Sequence, residues 1–349
     1  MHPFRAKKPL YGINAFFDSV FVCRRNRERC GHGGKNLKII FMGTPDFAVA
    51  ALDALCRDGQ NVILAVTQPD RQKGRGRKVI QTPVKVCAEK WNVPVFQPDR
   101  IREPEAIEKI RSLAPDLIVV AAFGQILPQE LLDIPRLGCI NIHASLLPKL
   151  RGAAPIQWSV INGDSESGIT LMQMNAGLDT GDILFQESVP IEKNETGESL
   201  YEKLAQLGGE MIVRYLPAIE AGEIHPVIQD DSRSSYAPML RKEMGEIDWS
   251  LPAAQIEQRM RGMMPWPGAY TKLGGHTLKI WSAKVLPVTE VPYGTTPGTV
   301  LYTDKKSICV AAGEGGLLLL EVQAEGKKRM PTDAFLRGTK VADGTVLGF

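Results

Sequence analysis

Short apolar runs alternate with helical patterns through the first half of the chain, and this alternation constrains the fold more than any other feature. The runs typical of buried strands lie at residues 37–42, 62–67, 93–96, 117–122 and 139–143. Segments with helical spacing lie between them, at residues 47–55, 84–91 and 104–113. Because a strand–helix–strand unit joins parallel strands, the pattern predicts an α/β fold with a doubly wound, mainly parallel sheet.

The turn after the first strand contains one glycine, Gly43, followed by Thr-Pro-Asp. A dinucleotide site in this fold class needs several glycines, so that the backbone can approach a pyrophosphate. A P-loop needs the pattern GxxxxGK[ST], which the sequence lacks. The first turn therefore disfavours nicotinamide dinucleotides and nucleoside triphosphates, and it leaves a mononucleotide or a folate as ligand classes.

Two polar side chains, Asn141 and His143, stand near the end of the last apolar run. Because side chains alternate along a strand, these two share one face, and Ile140 and Ile142 share the other. An amide and an imidazole at the carboxyl end of a strand are typical of an active-site mouth, although taken alone a hydrogen-bonded structural pair is commoner. The amide could donate to an oxyanion, and the imidazole could move a proton near neutral pH.

The motifs that follow this strand end carry a specific resemblance. They read SLLP at 145–148, KLRGAAPIQW at 149–158 and GLDTGD at 177–182. With them, the chain resembles the 10-formyltetrahydrofolate-dependent formyltransferases from about residue 37 to near its C-terminus, and most closely those acting on methionyl-tRNA. The resemblance implies a formyltransferase-like Rossmann variant followed by a small OB-like β-barrel. It also implies that Asn141, His143 and Asp179 are the catalytic set, while Asp182 is interpreted as structural.

The same resemblance implies a site for the formyl donor, 10-formyltetrahydrofolate, beside the catalytic set. The residues so implied are Ser145, Leu146, Leu147 and Pro148 and, on an adjoining wall, Phe123, Gly124, Ile126 and Leu127. An apolar turn suits a flat pterin ring, although a packed loop fits these residues equally well. The family usually has tyrosine where Phe123 stands. No metal is expected, since the five histidines show no ligand spacing.

A cluster of cations follows the second predicted strand, comprising Arg71, Lys73, Arg75, Arg77 and Lys78. Glycines interrupt the cluster, and it lacks the apolar residues needed for packing, so that it predicts a mobile loop. A merely solvated charge run is the alternative. Its place after a sheet strand favours phosphate contact. In the resembling family this loop enters the acceptor-stem end of a tRNA, and Arg75 falls at the key arginine.

Length and composition predict two domains in 349 residues. We expect a catalytic domain at 37–221, a polar linker at 222–241 and a second domain at 242–349. The last of these contains a helical segment at 253–260 and short β-runs at 278–281, 299–302, 307–311 and 317–322, which predict a small barrel. In the family this domain is OB-like and binds tRNA. Lys327, Lys328 and Arg329 form a candidate phosphate patch, with a solvated turn as the alternative.

The net charge of +3 divides unevenly, into +6 for residues 1–36 and −3 for the remainder. Nucleic-acid binding by the acidic body would therefore require local basic patches. Residues 1–36 are predicted to lie outside the fold, either as an organellar transit segment or as a non-native or upstream-start extension. Scattered cysteines and the absence of a long apolar run predict a soluble cytoplasmic protein, or an organellar matrix protein if residues 1–36 are a transit segment.

The basic segments predict the formyl acceptor. A small amine such as glycinamide ribonucleotide or an amino-sugar nucleotide needs no long basic reach, whereas an aminoacyl-tRNA carries its amine at the end of a polyanion. We therefore expect a monomer that formylates initiator methionyl-tRNA, giving N-formylmethionyl-tRNA for translation initiation. The alternatives are a formyltransferase for a small amine and a non-catalytic RNA-binding relative, which would tolerate loss of the Asn-His-Asp set.

Overall fold

The computed structural model describes residues 37–73 and 78–348. The predicted extension at 1–36, and Arg75 and Arg77 of the predicted loop, lie outside the described residues. Within the described ranges, no helix is both long enough and apolar enough to cross a membrane.

The first part of the chain alternates strands and helices, as its apolar pattern predicts. Its elements are β1 (Ile39–Gly43), α1 (Asp46–Arg57), β2 (Val62–Val66), β3 (Arg71–Lys73), β4 (Lys78–Ile80), α2 (Pro83–Lys90), β5 (Val95–Phe96), α3 (Pro104–Leu113), β6 (Leu117–Ala121), α4 (Gln129–Leu132), β7 (Cys139–His143), β8 (Arg151–Gly152), α5 (Pro155–Asn162), β9 (Glu166–Gln173), β10 (Ile183–Pro190) and α6 (Gly197–Ala221). Proline at the first turn of α2, α3 and α5 starts these helices at little cost, because a proline there removes no helical hydrogen bond.

Seven of these strands form one sheet in the order β10-β9-β7-β6-β1-β2-β5. The pairings from β5 through β7 are parallel, whereas β9 runs antiparallel to both β7 and β10. Side chains of β1 alternate between two cores: Ile39 and Phe41 pack with α1 and α6, and Ile40 and Met42 pack with α3 and α4. Both faces are therefore covered by helices, and the predicted doubly wound, mainly parallel sheet is confirmed.

A carboxylate at the amino edge of this sheet ties three neighbouring strands together. Asp116 precedes β6 and accepts a hydrogen bond of 2.8 Å from the backbone N–H of Lys38, just before β1. It also forms an ion pair of 2.6 Å with Arg136, which precedes β7. The bond from Lys38 and the contact with Arg136 lower the pKa of the Asp116 carboxyl group.

Asp116→Asn is expected to lower the free energy of unfolding at pH 7 by about 1 kcal/mol, because a charged hydrogen-bond acceptor is lost. Since the pKa is lowered on folding, the carboxylate stabilises the protein above its ordinary pKa, and the effect disappears as the pH falls through the lowered value. Urea denaturation at pH 7 and at about pH 3 should therefore show a smaller difference at the lower pH. The role of Asp116 would be contradicted if the difference in stability between the wild type and Asp116→Asn did not change with pH. It would also be contradicted if the exposed Asp58→Asn lost as much stability.

The second part of the chain forms a separate antiparallel sheet. The elements of this part are β11 (Tyr236–Ala237), which lies outside that sheet, α7 (Ala253–Gly262), β12 (Ala269–Leu273), β13 (His276–Leu286), β14 (Val300–Thr303), β15 (Ile308–Ala311), β16 (Gly316–Ala324), β17 (Met330–Pro331) and α8 (Thr332–Gly338). The sheet order is β12-β13-β16-β15-β14, and β17 also pairs with β16. The predicted small β domain after the α/β part is confirmed, and β12 and β17 are strands that the apolar runs did not indicate.

The polar segment predicted as a linker, 222–241, is packed against the first sheet rather than extended between two bodies. Val227 pairs with Ile183 at the start of β10, and β11 pairs in parallel with β8. The indole N–H of Trp158 on α5 donates a hydrogen bond of 2.8 Å to the carbonyl oxygen of Pro238. The backbone of this segment is thus fixed against β8, the start of β10 and α5.

Candidate active site

The carboxyl half of β7 carries the two polar residues that the strand pattern selected. Ile140 and Ile142 pack into the core on one side of the sheet, as predicted, which leaves Asn141 and His143 on the other side. The His143 side chain is only 6% exposed, and Asn141 is half-buried. The strand therefore presents an amide and an imidazole to the space on that side of the sheet.

Asp179 reaches the same space from the turn between β9 and β10. Its Oδ1 atom lies 3.5 Å from Nδ2 of Asn141 and 3.7 Å from Nδ1 of His143. Its Oδ2 atom accepts a hydrogen bond of 2.8 Å from the backbone N–H of Gly152. The structure thus brings together the amide, the imidazole and the carboxylate that the sequence predicted, although Asp179 is far from the other two in the chain.

The hydrogen bonds of His143 determine which ring nitrogen is free. Its Nε2 atom lies 3.1 Å from the carbonyl oxygen of Leu150. Because a carbonyl oxygen can only accept, Nε2 must carry the proton of the neutral ring. The lone pair is then on Nδ1, the nitrogen that faces Asp179. An imidazole held in this way can take up a proton at Nδ1 beside a carboxylate that stabilises the resulting charge.

The backbone around Asp179 is specialised. Asp179 has a φ of 53°, a left-handed conformation that aspartate tolerates better than most residues. Gly152 has a φ of 114°, and a Cβ added there would lie 2.6 Å from the ring of Tyr236 and 2.8 Å from the carbonyl oxygen of Ala237. Glycine is therefore needed at 152, where the close approach of β11 aims the N–H at Asp179. The other candidate carboxylate, Asp182, uses its backbone carbonyl to accept from Gln173 N at 2.9 Å.

The turn at 145–148 is packed more deeply than a ligand ledge would be. Ser145 and Leu147 are buried, and the Ser145 hydroxyl donates a hydrogen bond of 2.7 Å to the carbonyl of Lys149. Leu146 packs against Gly168 of β9, and Pro148 is half-buried. Only backbone atoms and parts of Leu146 and Pro148 are therefore open to a ligand at this turn.

A cleft of about 570 Å³ opens at the carboxyl edge of the sheet, where the chain leaves β2 and β6. Its lining residues are Gln68, Pro69, Arg71, Asp99, Arg100, Arg102, Gly124, Gln125 and Ile126. Three arginines against one aspartate give the cleft a positive character, and Ile126, 84% exposed, adds an apolar surface. Gly124 and Ile126 were predicted to contact the formyl donor, and the arginines at 100 and 102 were missed. Arg71 was selected because it is a cation that follows a predicted strand. The same criterion would have selected these two arginines, which follow the predicted strand at 93–96.

The other two residues of the predicted wall lie inside the protein. Phe123 and Leu127 are buried in the core between the sheet and helices α3 and α4. The carbonyl oxygen of Phe123 accepts hydrogen bonds from Thr44 Oγ1 at 3.1 Å and from Gln68 Nε2 at 3.0 Å. The side chains of Phe123 and Leu127 therefore lie in the core and do not line the cleft. Because phenylalanine has no hydroxyl group, its burial at 123 leaves no polar group without a hydrogen-bond partner.

The base of the cationic loop is fixed by a half-buried network of hydrogen bonds. Asp70 accepts hydrogen bonds from Lys85 Nζ at 2.6 Å and from Gln97 Nε2 at 2.7 Å, and the bond from Lys85 is the main cause of the lowered pKa of Asp70. Arg71 donates to Gln68 Oε1 at 2.9 Å. The predicted loop is in fact a hairpin at its base, since β3, which ends at Lys73, pairs antiparallel with β4, which begins at Lys78.

The predicted patch at 327–329 divides into two parts. Arg329 forms an ion pair with Glu321 and lies 4.9 Å from the ring of Trp281, so its charge is already partnered. Lys327 and Lys328 are exposed. Two of the three predicted cations are therefore exposed and could contact phosphate groups.

Comparisons with known proteins agree with this architecture. Residues 36–216 match the family described as formyl transferase, and residues 239–340 match the one described as formyl transferase, C-terminal domain. Relatives named methionyl-tRNA formyltransferase include those of Geobacter sulfurreducens, 52% identical over 89% of this chain and 97% of the relative, and of Geobacter metallireducens, 53% identical over 89% and 99%. One from Agathobacter rectalis is 48% identical over 88% and 99%.

Solved structures share the fold at lower identity. WlaRD, a sugar 3N-formyl transferase, matches with a TM-score of 0.60 at 19% identity over 84% of this chain and 99% of its own. HypX from Aquifex aeolicus in complex with tetrahydrofolic acid matches with a TM-score of 0.56 at 19% identity over 88% of this chain and 50% of its own. These likenesses concern the fold alone. The two family matches and the full-length relatives establish that the chain belongs to the formyl transferase family.

Proposed function

We propose that this chain transfers the formyl group of 10-formyltetrahydrofolate to the amino group of initiator methionyl-tRNA. The observation that carries the proposal is the convergence of Asn141, His143 and Asp179 on one side of β7. The full-length relatives at about half identity bear the name of this activity. The basic segments and these names support methionyl-tRNA as the acceptor. We further propose that the protein acts in translation initiation, in the cytoplasm and as a monomer.

Each of the three polar groups has its own role in the proposed chemistry. The neutral amine attacks the formyl carbon, and the amide N–H of Asn141 stabilises the oxyanion that forms. Nδ1 of His143 accepts the proton of the attacking nitrogen, while Asp179 stabilises the imidazolium. When the bond from the formyl carbon to N10 of the folate breaks, the imidazolium returns the proton to N10. The reaction is thus balanced by proton transfer alone.

The cleft beside β6 is the proposed site of the donor. Its volume of about 570 Å³ lies within the usual range of small-molecule sites. The arginines at 71, 100 and 102 would pair with the carboxylates of the folate's glutamate tail. Ile126 and the backbone of 145–148 would flank the ring system, since the side chains of Ser145 and Leu147 are buried.

The acceptor tRNA is proposed to contact the hairpin of β3 and β4 and the exposed Lys327 and Lys328. Both surfaces are basic, whereas the chain without its first 36 residues carries a net charge of −3. An acceptor with a polyanionic body would gain from such local patches, and a small amine would not. This difference distinguishes the two acceptor classes.

The proposed function is tested by a direct comparison of acceptors. Purified protein is supplied with 10-formyltetrahydrofolate and either charged initiator methionyl-tRNA or glycinamide ribonucleotide, and formylated product is quantified. We expect transfer to the tRNA at a kcat/KM several orders of magnitude above that for the small amine. Equal or greater use of glycinamide ribonucleotide would reject the tRNA proposal, and transfer to neither would reject enzymatic formyl transfer.

Arg75→Ala is expected to raise the KM for methionyl-tRNA about tenfold, because one charge-assisted phosphate contact is removed. The slope of log affinity against log salt should also fall by about one. Tetrahydrofolate affinity should stay close to that of the wild type, since the arginines at 71, 100 and 102 remain. Initial rates at several salt concentrations and a fluorescence titration with tetrahydrofolate measure these quantities.

Arg57→Ala is the matched control for this variant. Arg57 pairs with Asp53 in the last turn of α1. It lies at the amino edge of the sheet, opposite the carboxyl edge where the cationic loop begins. Its loss should leave both tRNA use and its salt dependence unchanged. Equal damage to tRNA use and folate binding in Arg75→Ala would mean that the loop supports the pocket rather than the tRNA.

A further inference from the structure

We propose that Gln229 and Ser235 are positioning residues, which set Asp179 and His143 in the geometry required for formyl transfer. Both belong to the segment between α6 and β11 that the sequence predicted as a linker. The proposal deepens the proposed function and rests on the roles given there to Asp179 and His143. Neither residue contacts the substrate in this scheme, and each acts through a backbone carbonyl or N–H group.

Gln229 holds the turn that carries Asp179. It is only 8% exposed, and its Nε2 atom donates to the carbonyl oxygens of Asp179 at 2.9 Å and of Gly181 at 2.6 Å. These two carbonyls have no other hydrogen-bond partner in the described part of the chain. Because Asp179 has a left-handed backbone that costs of order 1 kcal/mol, the turn needs such an external clamp to persist.

Arg151 fixes the orientation of the Gln229 amide. Its Nε and Nη2 atoms donate to Oε1 of Gln229 at 3.1 and 2.8 Å, and Nη2 also pairs with Asp231 at 2.7 Å. Since the guanidinium can only donate, Oε1 must face it and Nε2 must face the two carbonyls. Both polar atoms of the Gln229 amide therefore have a defined role, and exchange of the amide oxygen and nitrogen would break four hydrogen bonds.

Ser235 acts in the same way on His143. The N–H of Leu150, whose φ is 58°, donates to Oγ of Ser235 at 2.9 Å. The N–H of Arg151 donates to the carbonyl oxygen of Ser235 at 2.9 Å. The Leu150 carbonyl and the Arg151 N–H belong to the same peptide plane, so this second bond sets the direction of the carbonyl that receives His143 Nε2. The carbonyl of Ser235 would form this bond with any side chain, whereas its hydroxyl oxygen contributes by holding the N–H of Leu150 and with it the left-handed backbone whose carbonyl receives His143.

Through Gln229 and Ser235, the segment between α6 and β11 is linked to the catalytic groups. It lies between the α/β part and the sheet that carries the basic patch, and it holds both proton-handling groups through separate contacts. A displacement of the segment would therefore change Asp179 and His143 together. In contrast, a segment that served only as a connector would need no side-chain contacts with the turn at 179–181.

The test compares Gln229→Met in two backgrounds by single-turnover kinetics with charged tRNA. In the wild-type background, we expect the formylation rate to fall by roughly 30-fold, since small misplacements of a catalytic group cost up to about 10²-fold. The KM for tRNA should change little, whereas the melting temperature should fall, because two carbonyls lose their hydrogen-bond donor. In the Asp179→Asn background, the same change should cost less than about threefold, because the carboxylate through which Gln229 acts is already absent.

Two further variants complete the design. Gln258→Met removes a comparable glutamine bond, from Nε2 to the carbonyl of Ile161 at 2.8 Å, at a place without contact to Asp179, and it should keep the wild-type rate. Ser235→Ala should lower the formylation rate about tenfold in the wild-type background but not in the His143→Ala background. Ser235→Thr keeps the hydroxyl group and should have the wild-type rate.

The proposal is overturned if Gln229→Met costs the same factor with and without Asp179, or if Gln258→Met is equally slow, since either result indicates a general loss of structure. It is also overturned if Gln229→Met keeps the wild-type rate. Failure of the proposed function is recognised separately, because then the wild-type protein itself would not formylate the charged tRNA. If another amine is the true acceptor, the same double-mutant comparison is made with that amine.

Discussion

Asp179→Asn is expected to lower the turnover number for formyl transfer by about 10³-fold, because His143 then takes up the proton without a carboxylate to stabilise its charge. The Asp179 carboxylate lies 3.7 Å from the ring nitrogen that takes up the proton and 3.5 Å from the Asn141 amide. An asparagine keeps the size of the side chain and an oxygen for the Gly152 N–H, but it cannot stabilise an imidazolium. The variant should therefore fold normally and bind folate, and it should be slow in the chemical step.

Asp182→Asn is the matched control, because it makes the same change three residues away in the same turn. Asp182 contributes a backbone carbonyl to the hairpin, which asparagine retains, so turnover should remain near the wild-type value. The measurement is single-turnover formylation, with circular dichroism to verify the fold. Near-normal turnover in a folded Asp179→Asn protein would remove this carboxylate from the mechanism, and a larger loss in Asp182→Asn would transfer the role to that residue.

The strand pattern was sufficient to predict one half of the candidate site. Alternation along β7 places Asn141 and His143 on the same side, and this depends only on the geometry of an extended chain. The alternation of apolar runs with helical segments likewise predicted the parallel sheet, because the crossover between parallel strands has few solutions. These features are local, and the sequence around them contains all the information they need.

The other half of the site depends on contacts that no local pattern specifies. Asp179 is brought to His143 by a left-handed turn, by close packing at Gly181 and by the Gln229 side chain, which lies 50 residues further along the chain. Its proximity could be inferred from resemblance but not from spacing. The segment at 222–241 was interpreted as a linker because it is polar. Polarity, however, does not distinguish a side chain that faces water from one that bonds a buried carbonyl.

The environment of the residues predicted to bind the cofactor and the tRNA also depends on contacts that no local pattern specifies. Phe123 and Ser145 follow strands directly, where alternation no longer applies, so the sequence could not indicate that their side chains are buried. Arg329 was grouped with its lysine neighbours, but strand pairing between β16 and β17 sets it against Glu321. Burial within turns and pairing between strands are properties of the assembled fold, and only the structure reports them.

Gly181→Ala is expected to reduce turnover nearly as much as the loss of the Asp179 carboxylate, although it changes no polar group. A Cβ at this position would lie far inside the van der Waals radius of the Gln173 carbonyl oxygen, and that atom belongs to the backbone of β9. Gln173 N also donates to the carbonyl of Asp182 at 2.9 Å, so the hairpin cannot open without losing this bond. The backbone must therefore shift, which moves the carbonyls held by Gln229 and withdraws Asp179 from His143.

The expected cost is about 1–3 kcal/mol in the free energy of unfolding, as for an overpacked site, together with a fall in turnover of about 10²-fold or more. Urea denaturation and single-turnover formylation measure the two effects. Gly338→Ala is the control, because a Cβ there meets no atom within 4 Å and should leave both quantities unchanged. If Gly181→Ala lost stability but kept its turnover, the turn would tolerate displacement, and the position of Asp179 would not be the determinant of the rate. A loss of turnover at wild-type stability would instead show that the strain is taken up entirely by the catalytic turn.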